Sequence, residues 1–201
     1  MPETMSTQQA KAMLKAIGFD NAGRNFPAAV EGFQLGWNLG PALQPDGRFG
    51  PLTSAALAKS YARHRAGKPT MSAHFSYWEF RCKCEGAFPD CQRIWQKRGH
   101  VRRLEAYRAQ VGQSITIISG CRCKGRNKAA GGAKSSQHMF GAATDIEALV
   151  TVEQRREAKL FAGLGFRRSS HKVVHVDSRD IGGHNLTGGT PIRPTTWEYA
   201  T

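Results

Sequence analysis

The chain has 201 residues, of which 40% are apolar and 22% charged, a balance that excludes a disordered polymer and suits a folded domain or two. No apolar run approaches the ~18 residues of a membrane span, so no membrane insertion is expected. The formal net charge of +14 predicts attraction to polyanions, either nucleic acid or an acidic bacterial envelope. The first residues, Met1-Pro2-Glu3-Thr4, lack a basic stretch followed by an apolar one, and no secretory signal peptide is read there.

In chain order, Gln8 to Ile17 has a helical period, with Ala12, Met13, Ala16 and Ile17 on one face and Gly18 as its stop. Pro27 to Asn38 opens with a proline suited to a first helical turn and carries Val30, Phe33 and Trp37 at spacings of three and four. Gln44 to Pro51 holds the turn dipeptides Asp46-Gly47 and Gly50-Pro51. A third helix follows from Leu52 to Ala62, with Leu52, Ala55, Ala56 and Ala58 expected inward and Thr53 placed to cap it. The polar, Gly- and Pro-containing stretch 67–72 reads as a linker.

Ala29 to Leu57, with Val30, Phe33-Gln34 and the run Pro45 to Leu57, resembles the three-helix peptidoglycan-binding domain. The resemblance implies a wall-binding module over residues 1–66.

Beyond the linker, Val101 to Val111 is an amphipathic helix and Ser114 to Ser119 a β-branched strand. Gly141 to Ile146 leads into another strand, Val152 to Leu164 is expected as a helix, and Lys172 to Asp177 alternates as the last clear strand. The Gly-, Thr- and Pro-rich tail is expected to wrap the surface, anchored by Trp197. The reading is an α+β fold: a small N-terminal three-helix bundle, then a domain over 73–201 with a small, largely antiparallel sheet.

Two short segments carry the chemistry. Ser136 to Asp145 and His175-Val176-Asp177 together offer two imidazoles and carboxylates, a set suited to catalytic zinc with one position open for water. Alternation along the last strand turns Val173, His175 and Asp177 to one side. The pattern Ser136, His138, Gly141, Ala143, Asp145 resembles the signature of zinc D-alanyl-D-alanine and L-alanyl-D-glutamate peptidases, relatives of lysostaphin and the hedgehog signalling domain. His74 to Cys82, Ile118 to Cys123 and Arg126 to His138 extend the likeness upstream. The resemblance implies His138, Asp145 and His175 as ligands of one Zn2+, and Arg122 facing the substrate. Many relatives carry Glu three residues before the last histidine, where Lys172 stands here. That leaves Asp177, or His171 after a bend, as general base, with Asp177 alternatively only bonding a neighbouring histidine.

Five cysteines, Cys82, Cys84, Cys91, Cys121 and Cys123, form two clusters. Their odd number leaves one thiol over from disulfides, and C-x-C pairs also suit a second, structural metal. The resemblance implies a bridge between the clusters that would brace Arg122.

A wall-binding module joined to a zinc peptidase resembles a phage endolysin, which would stay in the host cytoplasm until released to the wall. The expected partner is bacterial peptidoglycan. No zinc-finger or RNA-binding signature is present, so no nucleic-acid partner is expected, and a monomer is read. The alternatives are a wall-remodelling D-alanyl-D-alanine carboxypeptidase and a non-catalytic, zinc-stabilised wall-binding protein.

Overall fold

The fold is that of a computed structural model describing residues 5–151, 154, 159–181 and 190–199. It is α+β, with five α-helices and one five-stranded mixed sheet among the described residues. None of the described helices is long and apolar enough to cross a membrane.

Helix α1 (Thr7–Ala16) starts at a capping box. Ser6 Oγ accepts the Gln9 backbone N–H at 3.2 Å, and Gln9 Oε1 accepts the Ser6 N–H at 2.7 Å. Its buried face is Ala10, Leu14 and Ile17, whereas Ala12 and Ala16, expected inward, are exposed. The larger apolar area of Leu14 decides the orientation. Helix α2 (Phe26–Gly36) is capped by Asn25 and buries Val30 and Phe33 as its spacing predicts, with Trp37 buried at its end.

Helix α3 (Pro51–Arg65) departs from expectation at its first turn. Leu52 is 78% exposed, Ala55 and Ala58 also face outward, and the inner face is Thr53, Ala56, Leu57 and Ser60. Thr53 does not cap the helix, whose N-cap is Gly50. Instead the Thr53 hydroxyl accepts from Gln34 Nε2 at 3.0 Å. Gln34 is the organiser of the preceding loop. Its Nε2 also donates to Asp46 Oδ1 and Arg48 O, and its Oε1 accepts the Asp46 and Gly47 N–H groups. Gln34 is buried, and a buried amide requires partners for its polar groups, so Thr53 is recruited inward.

The stretch expected as a linker is a turn at Gly67 followed by a buried segment, Thr70, Met71 and Ser72. Tyr77, on a 3-10 turn at Tyr77–Phe80, lies 5.1 Å from the Phe19 ring and 5.3 Å from Phe33, and donates its hydroxyl to Phe33 O at 2.8 Å. Buried Arg93 forks onto Asp20 at 2.7 and 2.9 Å. One apolar cluster therefore runs from Ala10 through Tyr77 and helix α4 (Arg98–Val111) to Val176.

The sheet has the order β1-β2-β4-β3-β5, with β1 at Ile117–Ser119, β2 at Ala143–Ile146, β3 at Gly163–Arg167, β4 at Val173–Asp177 and β5 at Thr195–Tyr199. All pairs are antiparallel except β3 with β5. Helix α4 covers one face: His100 bridges Thr144 Oγ1 and Ser178 Oγ at 2.8 Å each, and Tyr107 and His100 pack on Phe161. Alternation then sends Asp145 and His175 to the opposite face. Of the helix expected over Val152–Leu164, residues 152–153 and 155–158 lie outside the described residues, and Gly163 and Leu164 belong to β3. Residues 182–189 of the tail also lie outside them. The end of that tail is strand β5, not a surface wrap. A short helix, α5 (Lys124–Ala129), follows the second cysteine pair.

Candidate metal centre

Asp145 and His175 face each other as register partners across β2 and β4. His138 comes from a 3-10 turn, Gln137–Phe140, that ends at Gly141 with φ +64°. A Cβ at Gly141 would sit 2.0 Å from the Trp95 carbonyl oxygen, so only glycine lets this turn close against the 81–97 segment. The requirement for a small residue there is packing on Trp95.

Three acceptor atoms converge. His138 Nε2 is 3.2 Å from both Asp145 Oδ1 and His175 Nδ1, and His175 Nδ1 is 2.8 Å from Asp145 Oδ1. The far ring nitrogens are committed elsewhere. His138 Nδ1 donates to Gly120 O at 2.5 Å, and His175 Nε2 faces Asp177 Oδ2 at 3.5 Å. With those protons outward, both inward nitrogens present lone pairs beside a carboxylate, a donor set suited to a metal cation. Tetrahedral zinc bonds of about 2.0–2.1 Å space their donors roughly 3.3 Å apart, so the triangle fits this ion. Such far-side hydrogen bonds are also how metal-bound imidazoles are held in one tautomer.

Burial alone would raise the Asp145 carboxyl, but hydrogen bonds and charge from His138 and His175 hold it well below the usual range. Burial lowers the His138 ring. Burial would also lower His175, yet Asp145 and Asp177 outweigh it and push that ring up to about 9 in the absence of a metal.

The group lines a cleft of about 710 Å³. Arg122 lines it too. Its Nη2 pairs with Asp145 Oδ2 and its Nε donates to Ser119 Oγ at 3.1 Å. Ser136 lines the same cleft at the start of the His138 turn.

Asp177 does face the same side as His175, as alternation requires, but it meets the ring's far nitrogen. It is wholly buried, with Oδ1 taken by Arg179 Nε at 2.8 Å and Oδ2 by Arg179 Nη2 at 2.6 Å. Burial would raise its carboxyl, but Arg179 and His175 hold it well below the usual range. Such a carboxylate is a poor proton acceptor. His171 is exposed in the β3–β4 turn at φ +54°, stacked on Phe166, and does not line the cleft. The bend foreseen for it exists and turns it outward.

Three site residues are not anticipated by the sequence reading. Arg179 clamps Asp177, Trp197 lies 5.1 Å from the His175 ring with the Arg179 guanidinium 5.3 Å from its own, and Tyr199 adjoins Trp197. All three line the cleft. The alternation Thr195-Thr196-Trp197-Glu198-Tyr199 is the signal that finds β5.

A second group, Cys82, Cys84, Cys91 and Cys123, also has its ligand atoms within 4.8 Å of one another. No disulfide links the cysteines, so the bridge between clusters is not formed.

The family model of peptidase M15 matches residues 73–177, more than half of the chain, and spans every one of the three converging residues. The chain belongs to the peptidase M15 family. Members are zinc-dependent peptidases of the D-alanyl-D-alanine carboxypeptidase type, so this M15 chain is a metallopeptidase acting on peptidoglycan-related substrates. Among curated proteins no relative matches it.

Proposed function

We propose that this M15 peptidase hydrolyses a peptide bond in the stem or cross-bridge of bacterial peptidoglycan, as the lytic enzyme of a phage. The observation that carries the catalytic part is the convergence of His138 Nε2, Asp145 Oδ1 and His175 Nδ1 at 2.8–3.2 Å with both outer ring nitrogens engaged. Zinc held by these atoms would lower the pKa of a water toward ~7 and polarise the scissile carbonyl.

The chain's own residues do the rest. Gly120 O and Asp177 keep the two imidazoles in the tautomers that turn lone pairs inward. Asp177 on this reading positions His175 and is not the general base, and His171 takes no part. Arg122 tethers Asp145 and turns a guanidinium into the cleft, where it binds a peptide carboxylate or a developing oxyanion. The Trp197 ring shields His175 from water on one side.

Helices α1–α3 raise the local concentration of enzyme at an insoluble wall, and the charge of +14 favours an anionic envelope. The endolysin role rests on the pairing of the Val30 to Leu57 pattern with this peptidase.

A non-catalytic wall-binding protein is the second reading. It is favoured by one observation: Asp145 and Asp177 are the carboxylates lining the cleft among the described residues, and both are engaged. Mass spectrometry of soluble products from isolated peptidoglycan decides. Stem or cross-bridge fragments support the endopeptidase, release of single D-alanine from pentapeptide supports a carboxypeptidase, and wall binding without products on several wall chemotypes supports the second reading.

A further inference from the structure

We propose that Cys82, Cys84, Cys91 and Cys123 bind a second, structural zinc ion, separate from the His138–Asp145–His175 centre, and that Cys121 stands outside it.

Cys82, Cys84 and Cys91 come from one segment, and Cys123 comes from the N-cap of α5. Their sulfurs all lie within 4.8 Å of one another, as one cluster. Thiolates at about 2.3 Å from a tetrahedral zinc stand roughly 3.8 Å apart, and four sulfurs with no open position form a closed structural site.

Each sulfur also accepts an N–H. Cys82 Sγ takes the Cys123 backbone N–H at 3.3 Å, Cys91 Sγ takes that of Arg93 at 3.4 Å, and Cys123 Sγ takes that of Arg126 at 3.5 Å. Cys84 Sγ takes Arg93 Nη1 at 3.4 Å. Donors on every sulfur, one of them a buried guanidinium, are what thiolates need in a buried site. Lys83, Lys124 and Arg126 beside them in the chain add positive charge against the excess of four thiolates over one Zn2+.

Cys121 is occupied differently. It accepts the Trp95 N–H at 3.2 Å and donates to Gln96 Oε1 at 3.5 Å. The odd number of cysteines thus divides as four ligands and one isolated thiol.

The segment from Arg81 to Lys97 gives the ion a purpose. It contains neither helix nor strand, yet Cys82, Cys84, Cys91, Arg93, Ile94 and Gln96 are buried in it. Long irregular segments of this kind are uncommon in compact proteins unless something ties them down. Metal at Cys123 would tie this segment to the residue next to Arg122, which pairs with Asp145.

The test uses the full chain purified under reducing conditions. Bound metal is measured by elemental analysis, and Co2+ is exchanged for Zn2+ to read thiolate-to-cobalt charge transfer. Wild type should hold about two equivalents of zinc and the His138→Ala/His175→Ala variant about one, with the thiolate band intact in the latter. Cys121→Ser should keep the band, and Cys84→Ser/Cys91→Ser should lose it. Absence of the band in the histidine variant overturns the proposal. So does its loss in Cys121→Ser, disulfide-linked cysteines in the isolated chain, or iron found in place of zinc. Because the band is read with the histidine centre removed, its outcome is independent of whether the protein cuts peptidoglycan.

Discussion

Replacing Asp177 by Asn keeps the side chain's shape and removes its charge. Asp177 is fully buried and its partner Arg179 has a side chain only 10% exposed, so the pair is little screened. Breaking a buried pair by neutralising one partner costs about 3–5 kcal/mol, and the amide oxygen can still accept one Arg179 N–H, which favours the lower end. In a chain of this size ~3 kcal/mol lowers the midpoint of thermal unfolding by roughly 6–12 °C. The second effect is on zinc. His175 Nε2 loses its carboxylate partner, and loss of such a partner typically weakens a metal site about 10–100-fold. Urea unfolding in the presence of chelator measures the first effect, and competition against a chromophoric chelator measures the second. If Asp177→Asn leaves both stability and zinc affinity unchanged while abolishing hydrolysis, Asp177 is a proton acceptor and its assignment as the holder of His175 is wrong.

Gly163→Ala attacks the same residue from behind, since a Cβ there would sit 2.2 Å from Asp177 Oδ2. We expect a loss of about 1–3 kcal/mol in urea unfolding and weaker zinc binding, as overpacked cores show. Tyr77→Phe removes the bond to Phe33 O, which the Trp37 N–H still satisfies, so unfolding should show a loss near 1 kcal/mol. Burial holds the His100 ring down at about 3, against about 6.5 in the unfolded chain. The unfolded chain therefore takes up a proton that the folded one refuses as the pH drops. Stability from this group is complete above about pH 6.5 and is lost progressively toward pH 3, by at most ~5 kcal/mol. Urea midpoints of the zinc-free chain across that range should fall, and those of His100→Gln should fall less steeply.

The set His138, Asp145 and His175 was legible through the family resemblance carried by Ser136 to Asp145, and alternation makes Asp145 and His175 neighbours once β2 and β4 pair. Helices with large apolar residues at helical spacing, such as Val30 and Phe33 in α2, were legible from that spacing alone. Small-residue faces were not. In α1 and α3 alanines look equally apolar on every side, and tertiary partners chose Leu14 and Leu57. Thr53 looked like a cap until Gln34 claimed it, a contact across 19 positions that no local pattern contains. The engagement of Asp177 by Arg179 was not legible, because that partner choice is set by the fold. Strand β5 hid in a tail rich in Gly, Pro and Thr, although its last residues alternate.

The most direct question is whether the three converging side chains hold zinc and cut peptidoglycan. Wild type and His138→Ala, each freed of metal and then given Zn2+, should be incubated with isolated peptidoglycan and their soluble peptides weighed by mass spectrometry. Wild type should release fragments that vanish with chelator and return with zinc, and His138→Ala should release none. Equal release by both proteins, or release unaffected by chelator, would contradict a zinc peptidase at this site.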